Sequence, residues 1–394
     1  MRTIVLISNI KPIEDRALYH LAFRQASPQR REKVLSYRND LAKRQALCAE
    51  VLLREGLKAF GYSEPELAYE FGANGKPYLV GIEEVHFNIS HSGDYVMCAV
   101  STEEIGCDVE AVSEKTAERD LRIAERFFRK EEVQAIQNAS SEQEKRELFF
   151  RYWTRKESFM KLTGLGMKLP MNAFQIVEEQ GSLFVMQGDM AERYALKEWD
   201  LITGYRCCIC QKEIPENTMI QMVNLEKLLA DSFQIAGYHG RKLSEKDVPE
   251  IYELCKGNAF YYEFFPPVAT EESINKDLTA LPPGKGLEDK FYLGFYQGDL
   301  LIAVLDFIVG YPKEEVGWIG FFMTNVSVQG QGIGSKLIDG LCEFLKDSGL
   351  RRLSLAWVKG NPQSEHFWHK NGFLETGKEQ ESEGHTVVIA SKEL

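Results

Sequence analysis

The sequence predicts an α+β protein of two domains, and three observations carry that prediction. Its 394 residues are long for one domain and comfortable for two. Short strand-like and helix-like segments occur together in both parts of the chain, and the pattern changes around residues 226–238. There Leu225-Glu226-Lys227-Leu228-Leu229 closes the first region, and Ser244 to Cys255 starts a new polar–apolar helical pattern. The boundary is therefore expected near residue 234, giving domains 1–234 and 235–394.

Composition narrows the class. With 44% hydrophobic and 27% charged residues the chain reads as globular. No apolar run reaches the roughly 20 residues that span a bilayer, and Met1 to Ser8 reads as a first strand instead of a leader. No membrane association is expected. A net charge of −12 argues against general nucleic-acid binding. Eight cysteines fit a reducing, cytoplasmic setting. Cys207, Cys208 and Cys210 crowd one strand, as apolar filling or as part of a metal site that lacks a second ligand cluster.

Along the first region, Arg30 to Arg54 reads as one polar helix carrying Lys33 and Arg44. Phe87 to Ser92 alternates as a strand. Ile105 to Glu110 reads as strand running on from the apolar stretch Val96 to Val100. Side chains two apart on a strand share a face, so Asp108 and Glu110 converge while Val109 points away. Arg119, Arg122, Arg126, Arg129 and Lys130 line one side of a helix. They form a docking patch for an acidic partner or, with Glu118 and Glu125 beside them, a solvated face. Trp153 to Lys161 reads as a helix in which Glu157 and Lys161, four apart, project together, while Phe149 and Trp153 read as core. Two carboxylates from a strand and one from a helix, all oxygen donors, suit Mg²⁺ bound beside a phosphate.

In the second region, Gln329-Gly330-Gln331-Gly332-Ile333-Gly334-Ser335 follows the apolar strand Trp318 to Met323 and opens an amphipathic helix through Leu345. A glycine-rich turn at a helix N-terminus presents unpaired N–H groups to an anion. The turn lacks the Gly-Lys-Ser/Thr ending of a P-loop and is not followed by the strand and acid of a dinucleotide site. The strand Leu353 to Val358 follows, then Asn361-Pro362, a short helix with Phe367-Trp368, and Lys370-Asn371-Gly372-Phe373.

These segments carry two resemblances. The F-N-I-S-H-S strand, the G-x-D-x-E strand and the W-x-x-K-E-x-x-x-K helix, with Gly75-Lys76-Pro77 upstream and Gly164-Leu165-Gly166 downstream, resemble the Sfp-type 4′-phosphopantetheinyl transferases over about residues 1–230. That resemblance implies a pseudo-twofold fold of two similar α/β halves, about 1–107 and 108–230, with the active site in the cleft between them. It implies Mg²⁺ on Asp108, Glu110 and Glu157, with coenzyme A as substrate and an acyl or peptidyl carrier protein as partner. Glu157 would act as base, and Lys161 would steady the pyrophosphate. Ser90 and a cationic His91 would contact phosphates, with Lys76, Lys33 and Arg44 as further phosphate ligands.

Residues 236–394 resemble the GNAT superfamily of acetyltransferases: a Q/R-x-x-G-x-G/A loop, an asparagine, then a helix ending in K-x-G-F. This implies a mixed sheet flanked by helices, splayed where acetyl-CoA enters. Gln329, Gly330, Gly332, Gly334 and Ser335 would hold the pyrophosphate, and Asn361 would lie near the pantetheine arm. Trp368 stands where many members carry tyrosine, and indole is no general acid. His366 or His369 would have to replace it, and Glu314 and Glu315 are the acids near where a base is needed. The alternative is a non-catalytic module that senses acyl-CoA or binds the carrier.

Overall fold

The structure is a computed structural model, and it describes residues 2–62, 66–112, 116–186, 193–231, 233–382 and 384–394. The chain divides into two compact units, Met1–Glu226 and Lys227–Leu394, a division earlier than the expected residue 234.

The first unit opens with β1 (Thr3–Asn9), then α1 (Arg16–Gln25), α2 (Pro28–Ser36) and α3 (Asp40–Lys58). The single helix expected from Arg30 to Arg54 is thus two. Tyr37 turns extended, and the Asn39 side chain caps α3 by accepting from Leu41 N–H, so Lys33 and Arg44 sit on different helices. A small hairpin, β2 (Tyr69–Phe71) and β3 (Pro77–Leu79), leads to β4 (His86–Ser92), β5 (Tyr95–Ser101) and β6 (Gly106–Ala111). Here too the expected continuous strand is broken: the chain leaves one sheet after Ser101 and enters another at Gly106. Next come α4 (Ala117–Phe127), α5 (Lys130–Gln137) and α6 (Glu142–Thr163). Arg129 is the N-cap of α5, so the basic run is not one helical face. The unit continues with β7 (Gln175–Glu179), β8 (Ser182–Met186), β9 (Tyr194–Trp199), β10 (Tyr205–Gln211) and β11 (Met219–Met222).

Apart from the β2–β3 hairpin, these strands form two sheets, β11-β1-β5-β4 and β6-β10-β9-β8-β7, one for each α/β half. Late in the chain β11 returns to pair in parallel with β1, so the halves do not divide cleanly at residue 107. Val5, Ile7, Met97 and Ala99 of one sheet share a buried core with Cys107, Val109, Cys207 and Ile209 of the other. A closed polar triangle also joins the sheets: Thr3 Oγ1 donates to Gln211 Oε1 (2.9 Å), Gln211 Nε2 donates to Ser101 Oγ (2.8 Å), and the two hydroxyls lie 3.0 Å apart. On the far side of the second sheet, α6 packs through Phe149, Phe159 and Met160 against Cys208, Cys210 and Phe174.

The second unit follows α7 (Leu225–Asp231), which straddles the division. It comprises β12 (Gln234–Ile235), β13 (Tyr238–Lys242), α8 (Val248–Gly257), α9 (Ala259–Phe264), α10 (Glu271–Asp277), β14 (Lys290–Gln297), β15 (Leu300–Val309) and β16 (Val316–Thr324). It ends with α11 (Ile333–Leu345), β17 (Arg352–Val358), α12 (Pro362–Lys370), β18 (Leu374–Ser382) and β19 (His385–Glu393). Its eight strands make one mixed sheet, order β12-β13-β14-β15-β16-β17-β19-β18. Parallel pairing of β16 with β17 runs from Val316–Arg352 to Ile319–Leu355 and stops there, although both strands continue. The sheet therefore parts beyond Ile319, in the splayed form the sequence predicts.

Candidate active site

Two sheet edges meet in the first unit, and side chains join them. Ser90 Oγ donates to Asp108 Oδ1 (2.7 Å) and Ser92 Oγ to Glu110 Oε2 (2.8 Å). Both pairs are 18 residues apart, so β4 and β6 run side by side in parallel. The free edge of β6 finds acceptors on β4: Cys107 N–H donates to Asn88 Oδ1 (3.0 Å) and Ala111 N–H to Ser92 Oγ (3.1 Å). Val109 is fully buried in the shared core, which leaves Asp108 and Glu110 on the opposite face with Gly106.

That glycine brings the helix in. A Cβ at Gly106 would lie 1.9 Å from Ser158 O and 2.5 Å from Leu162 N, so α6 rests on bare backbone at this point. Ser158 Oγ fixes the contact further by donating to Cys208 O on β10 (3.0 Å). The approach carries Lys161 to the carboxylates: its Nζ lies 2.6 Å from Asp108 Oδ1 and 2.9 Å from Ser90 Oγ. Glu157 lies one turn earlier on the same helix face.

The charges are crowded. Burial first, then the Asp108 charge, pushes Glu110 up to about 7, against the opposing pull of Ser92 and Lys161. The same causes in the same order raise Glu157. Burial alone would lower Lys161, but Asp108 and its neighbours outweigh it and hold the ammonium charged. Asp108 Oδ2 is buried without a hydrogen-bond partner among the described residues. As the side chains stand, no three His, Cys, Asp or Glu residues among those described gather as a ready-made metal group. The donor chemistry nevertheless fits a hard cation. Two carboxylates whose ionisation is opposed by the Asp108 charge, with an orphaned buried oxygen on Asp108 itself, are relieved by a divalent charge.

In the second unit the corresponding feature is backbone. Gly330 and Gly332 take left-handed φ values of +75° and +78°, which suit glycine, and Gly332 is the N-cap of α11. At Gly334 a Cβ would meet the Phe367 ring at 3.1 Å, so this glycine serves the packing of α12 against α11. The side chains flanking the loop are committed elsewhere. Gln329 Nε2 donates to Asn258 Oδ1 (2.7 Å) and Thr324 O (3.2 Å). Asn361, only 1% exposed, caps α12 by accepting from Gln363 N–H and Ser364 N–H (both 3.1 Å). Ser335 is half-buried in the first turn of α11. Trp368 is buried among Phe322, Phe367 and Phe373.

Comparison with known proteins decides the family. The chain matches the model of the 4′-phosphopantetheinyl transferase N-terminal region over residues 11–103 and that of the 4′-phosphopantetheinyl transferase superfamily over residues 104–210. The 4′-phosphopantetheinyl transferase Sfp of Bacillus subtilis (strain 168) is 31% identical over 207 residues, covering 52% of this chain and 89% of the relative. The chain belongs to the Sfp-type 4′-phosphopantetheinyl transferases. A second relative, 4′-phosphopantetheinyl transferase gsp of Aneurinibacillus migulanus, is 30% identical over 197 residues, 50% of this chain and 80% of its own. The C-terminal unit is a GNAT-family acetyltransferase domain, matching that family's model over residues 251–373. Among solved structures, an acetyltransferase from Thermus thermophilus aligns with 40% of this chain and 97% of its own at 20% identity and a TM-score of 0.34; the family assignment rests on the family model.

Around the transferase site the remaining expected residues divide. The His91 side chain is solvent-exposed, yet crowding of its inner side first, and Lys161 second, lower its pKa, with Lys33 adding to the effect. Burial first, then the lysine charges, disfavours the imidazolium in this arrangement. Lys33 is exposed and within electrostatic reach of that ring. Arg44 pairs with Glu14 (3.3 Å). Lys76 is tied to Glu104 and to Leu162 O (2.9 Å), beside a cavity of about 200 Å³ lined by Tyr78, His86 and Phe87.

Lys156 of the motif points away from the carboxylates. It is fully buried, pairs with Glu132 (2.9 Å) and donates to Met171 O (2.8 Å) and Phe174 O (3.2 Å). Phe149 is buried and Trp153 half-buried in the core expected of them. Arg119, Arg122 and Arg126 are exposed or half-exposed on α4, as are Glu118 and Glu125. Cys207, Cys208 and Cys210 are buried free thiols on β10. In the acetyltransferase domain His366 is exposed, His369 faces Glu375 at 3.5 Å, and Glu314 and Glu315 are exposed ahead of β16.

Sequence reasoning missed Ser92, although its spacing from Ser90 repeats that of Glu110 from Asp108. It also missed Asp306 on β15, whose two oxygens each lie 2.8 Å from the buried Lys290 Nζ and whose carboxylate crowds Gly320, the first β16 residue beyond the splay.

Proposed function

We propose that the chain transfers the 4′-phosphopantetheine arm of coenzyme A to a serine of an acyl or peptidyl carrier protein, in a Mg²⁺-dependent reaction. The carrying observation is the convergence of Asp108, Glu110, Glu157 and Lys161 at the seam of the two halves, with Asp108 Oδ2 left orphaned. Asp108, Glu110 and Glu157 would hold Mg²⁺, which when bound supplies charge neutralisation at the pyrophosphate. Lys161, held charged and hydrogen-bonded to Ser90, offers an ammonium to the same phosphates. Glu157, its pKa raised toward the working range of a base, takes the proton of the carrier serine hydroxyl. The serine oxygen then bonds to the phosphorus of the arm, and the bond to adenosine 3′,5′-bisphosphate breaks.

For the C-terminal domain the reading is acetyl-CoA binding on the 329–335 loop and acyl transfer to an amine. A non-catalytic acyl-CoA-sensing or carrier-binding module is the second reading, favoured by Trp368, which is buried in an aromatic cluster and offers no acidic hydroxyl. A cytoplasmic location accords with eight buried, free cysteines.

The test is the intact mass of an apo carrier protein after incubation with the chain, coenzyme A and Mg²⁺, beside an EDTA control. A gain of one phosphopantetheine arm, lost in EDTA and in Glu157→Ala, supports the transferase reading. Unchanged modification by Asp108→Ala and Glu157→Ala would sink it.

A further inference from the structure

Three cations that the family resemblance implies as phosphate ligands lie on three separate elements: Lys33 on α2, Arg44 on α3, and Lys76 in the turn of the β2–β3 hairpin. One buried carboxylate holds those elements together. Glu50 of α3 is 1% exposed and accepts five hydrogen bonds. Ser27 N–H (2.5 Å) and Ser27 Oγ (3.0 Å) reach it from the N-cap of α2, and Arg30 Nε (3.1 Å) from its first turn. Tyr69 Oη (3.1 Å) reaches it from β2, and Arg54 Nη2 (3.3 Å) from one turn further along α3. Gln29 adds a direct tie between α2 and β2, its Oε1 accepting from Tyr69 N–H (2.9 Å). Gly72 N–H donating to Lys76 O (2.9 Å) closes the hairpin that presents Lys76.

We infer that Glu50 is a positioning residue for the 3′-phosphate end of coenzyme A: it sets the spacing of Lys33, Arg44 and Lys76 without touching the ligand. The inference rests on the coenzyme A reading above. Lys33 stands one helical turn past Arg30, so the α2 segment that Glu50 grips is the one that carries it. Arg44 lies on the helix that carries Glu50, and Lys76 on the hairpin that Tyr69 anchors. A buried acceptor with this many donors fixes geometry because each donor would otherwise be stranded. Cations on separate elements bind a phosphate well only when their spacing is preorganised. A generic core role predicts a loss of stability alone. The positioning role predicts a loss that depends on the 3′-phosphate.

The experiment is calorimetric titration of coenzyme A and of 3′-dephospho-coenzyme A onto the full-length protein with Mg²⁺. The binding event that EDTA removes is assigned to the N-terminal site. Glu50→Gln is expected to weaken coenzyme A about tenfold, the scale of one charge-assisted phosphate contact, and 3′-dephospho-coenzyme A less than about threefold. Equal weakening of both ligands, or of neither, overturns the inference while the coenzyme A reading stands. No EDTA-sensitive coenzyme A event in the unmodified protein overturns that reading and the inference with it. If Glu50→Gln does not fold, Tyr69→Phe, which removes one donor, is expected to shift the ratio of the two affinities in the same direction, and an unchanged ratio overturns the inference.

Discussion

The two units carry the charge of their proposed sites in opposite ways. At the seam of the transferase halves the charge is on side chains: Asp108, Glu110, Glu157 and Lys161, held by Ser90 and Ser92. In the acetyltransferase domain it is on backbone amides at the start of α11, while Gln329 and Asn361 spend their side chains on internal bonds. A side-chain site is erased by truncating one residue. A backbone site survives most truncations and fails only when its conformation or its charge is changed.

The largest effect expected from this contrast is at the seam. Asp108→Ala and Glu157→Ala should each lower the rate of carrier modification by about 10³-fold or more, measured by time-resolved intact mass, while acetyl-CoA binding by the C-terminal domain is unchanged. A parallel loss in both units would show that the variants act through the fold.

Next in size is the lysine beside Glu157, the proposed base. Lys156→Ala strands Glu132 in the core and should cost about 3–5 kcal/mol of stability, read as a lower unfolding midpoint in denaturant. Gly332→Asp comes third. It forces an L-residue into left-handed φ and sets a negative charge at the helix N-terminus, so acetyl-CoA binding should weaken by about tenfold or more with carrier modification retained. Asn361→Ala removes a helix cap and should instead lower stability by about 1 kcal/mol.

The remaining effect is a pH dependence. Glu110 is held at about 7 in the fold against 4.5 for its ordinary value. In EDTA the folded protein therefore binds protons more tightly than the unfolded chain. Stability from this group is full below pH 4.5 and declines as pH rises toward 7, by at most about 1.4 kcal/mol per unit. Melting temperatures recorded across that window should fall, and Glu110→Gln should flatten the slope. A rising contribution from Glu110 would contradict the crowding of the carboxylates.

The same contrast explains what the sequence made legible. Asp108, Glu110, Glu157 and Lys161 were readable because strand and helix periodicities are local, and the family pattern supplied their partners. The helix Ile333–Leu345 was legible because its apolar stripe follows a glycine turn. Breaks inside polar stretches were not legible. Tyr37 to Asn39 and Phe128 to Arg129 interrupt helices through capping geometry that charged residues on both sides conceal. Glu50 was invisible for another reason: apart from Arg54, its donors Ser27, Arg30 and Tyr69 lie 23 and 20 positions before it and 19 after it, and a lone glutamate in a polar helix gives no local sign of burial.

The seam has one further consequence. Cys107 and Ala111 carry amides on the outer edge of a sheet, where exchange with solvent is ordinarily fast, yet Asn88 and Ser92 of the neighbouring half satisfy both. Their protons are shielded only while the halves stay together. Deuterium uptake at these two positions therefore clocks how often the cleft breathes, and a ligand that bridges His91 of one half and Lys161 of the other should slow that clock without making a contact to either amide.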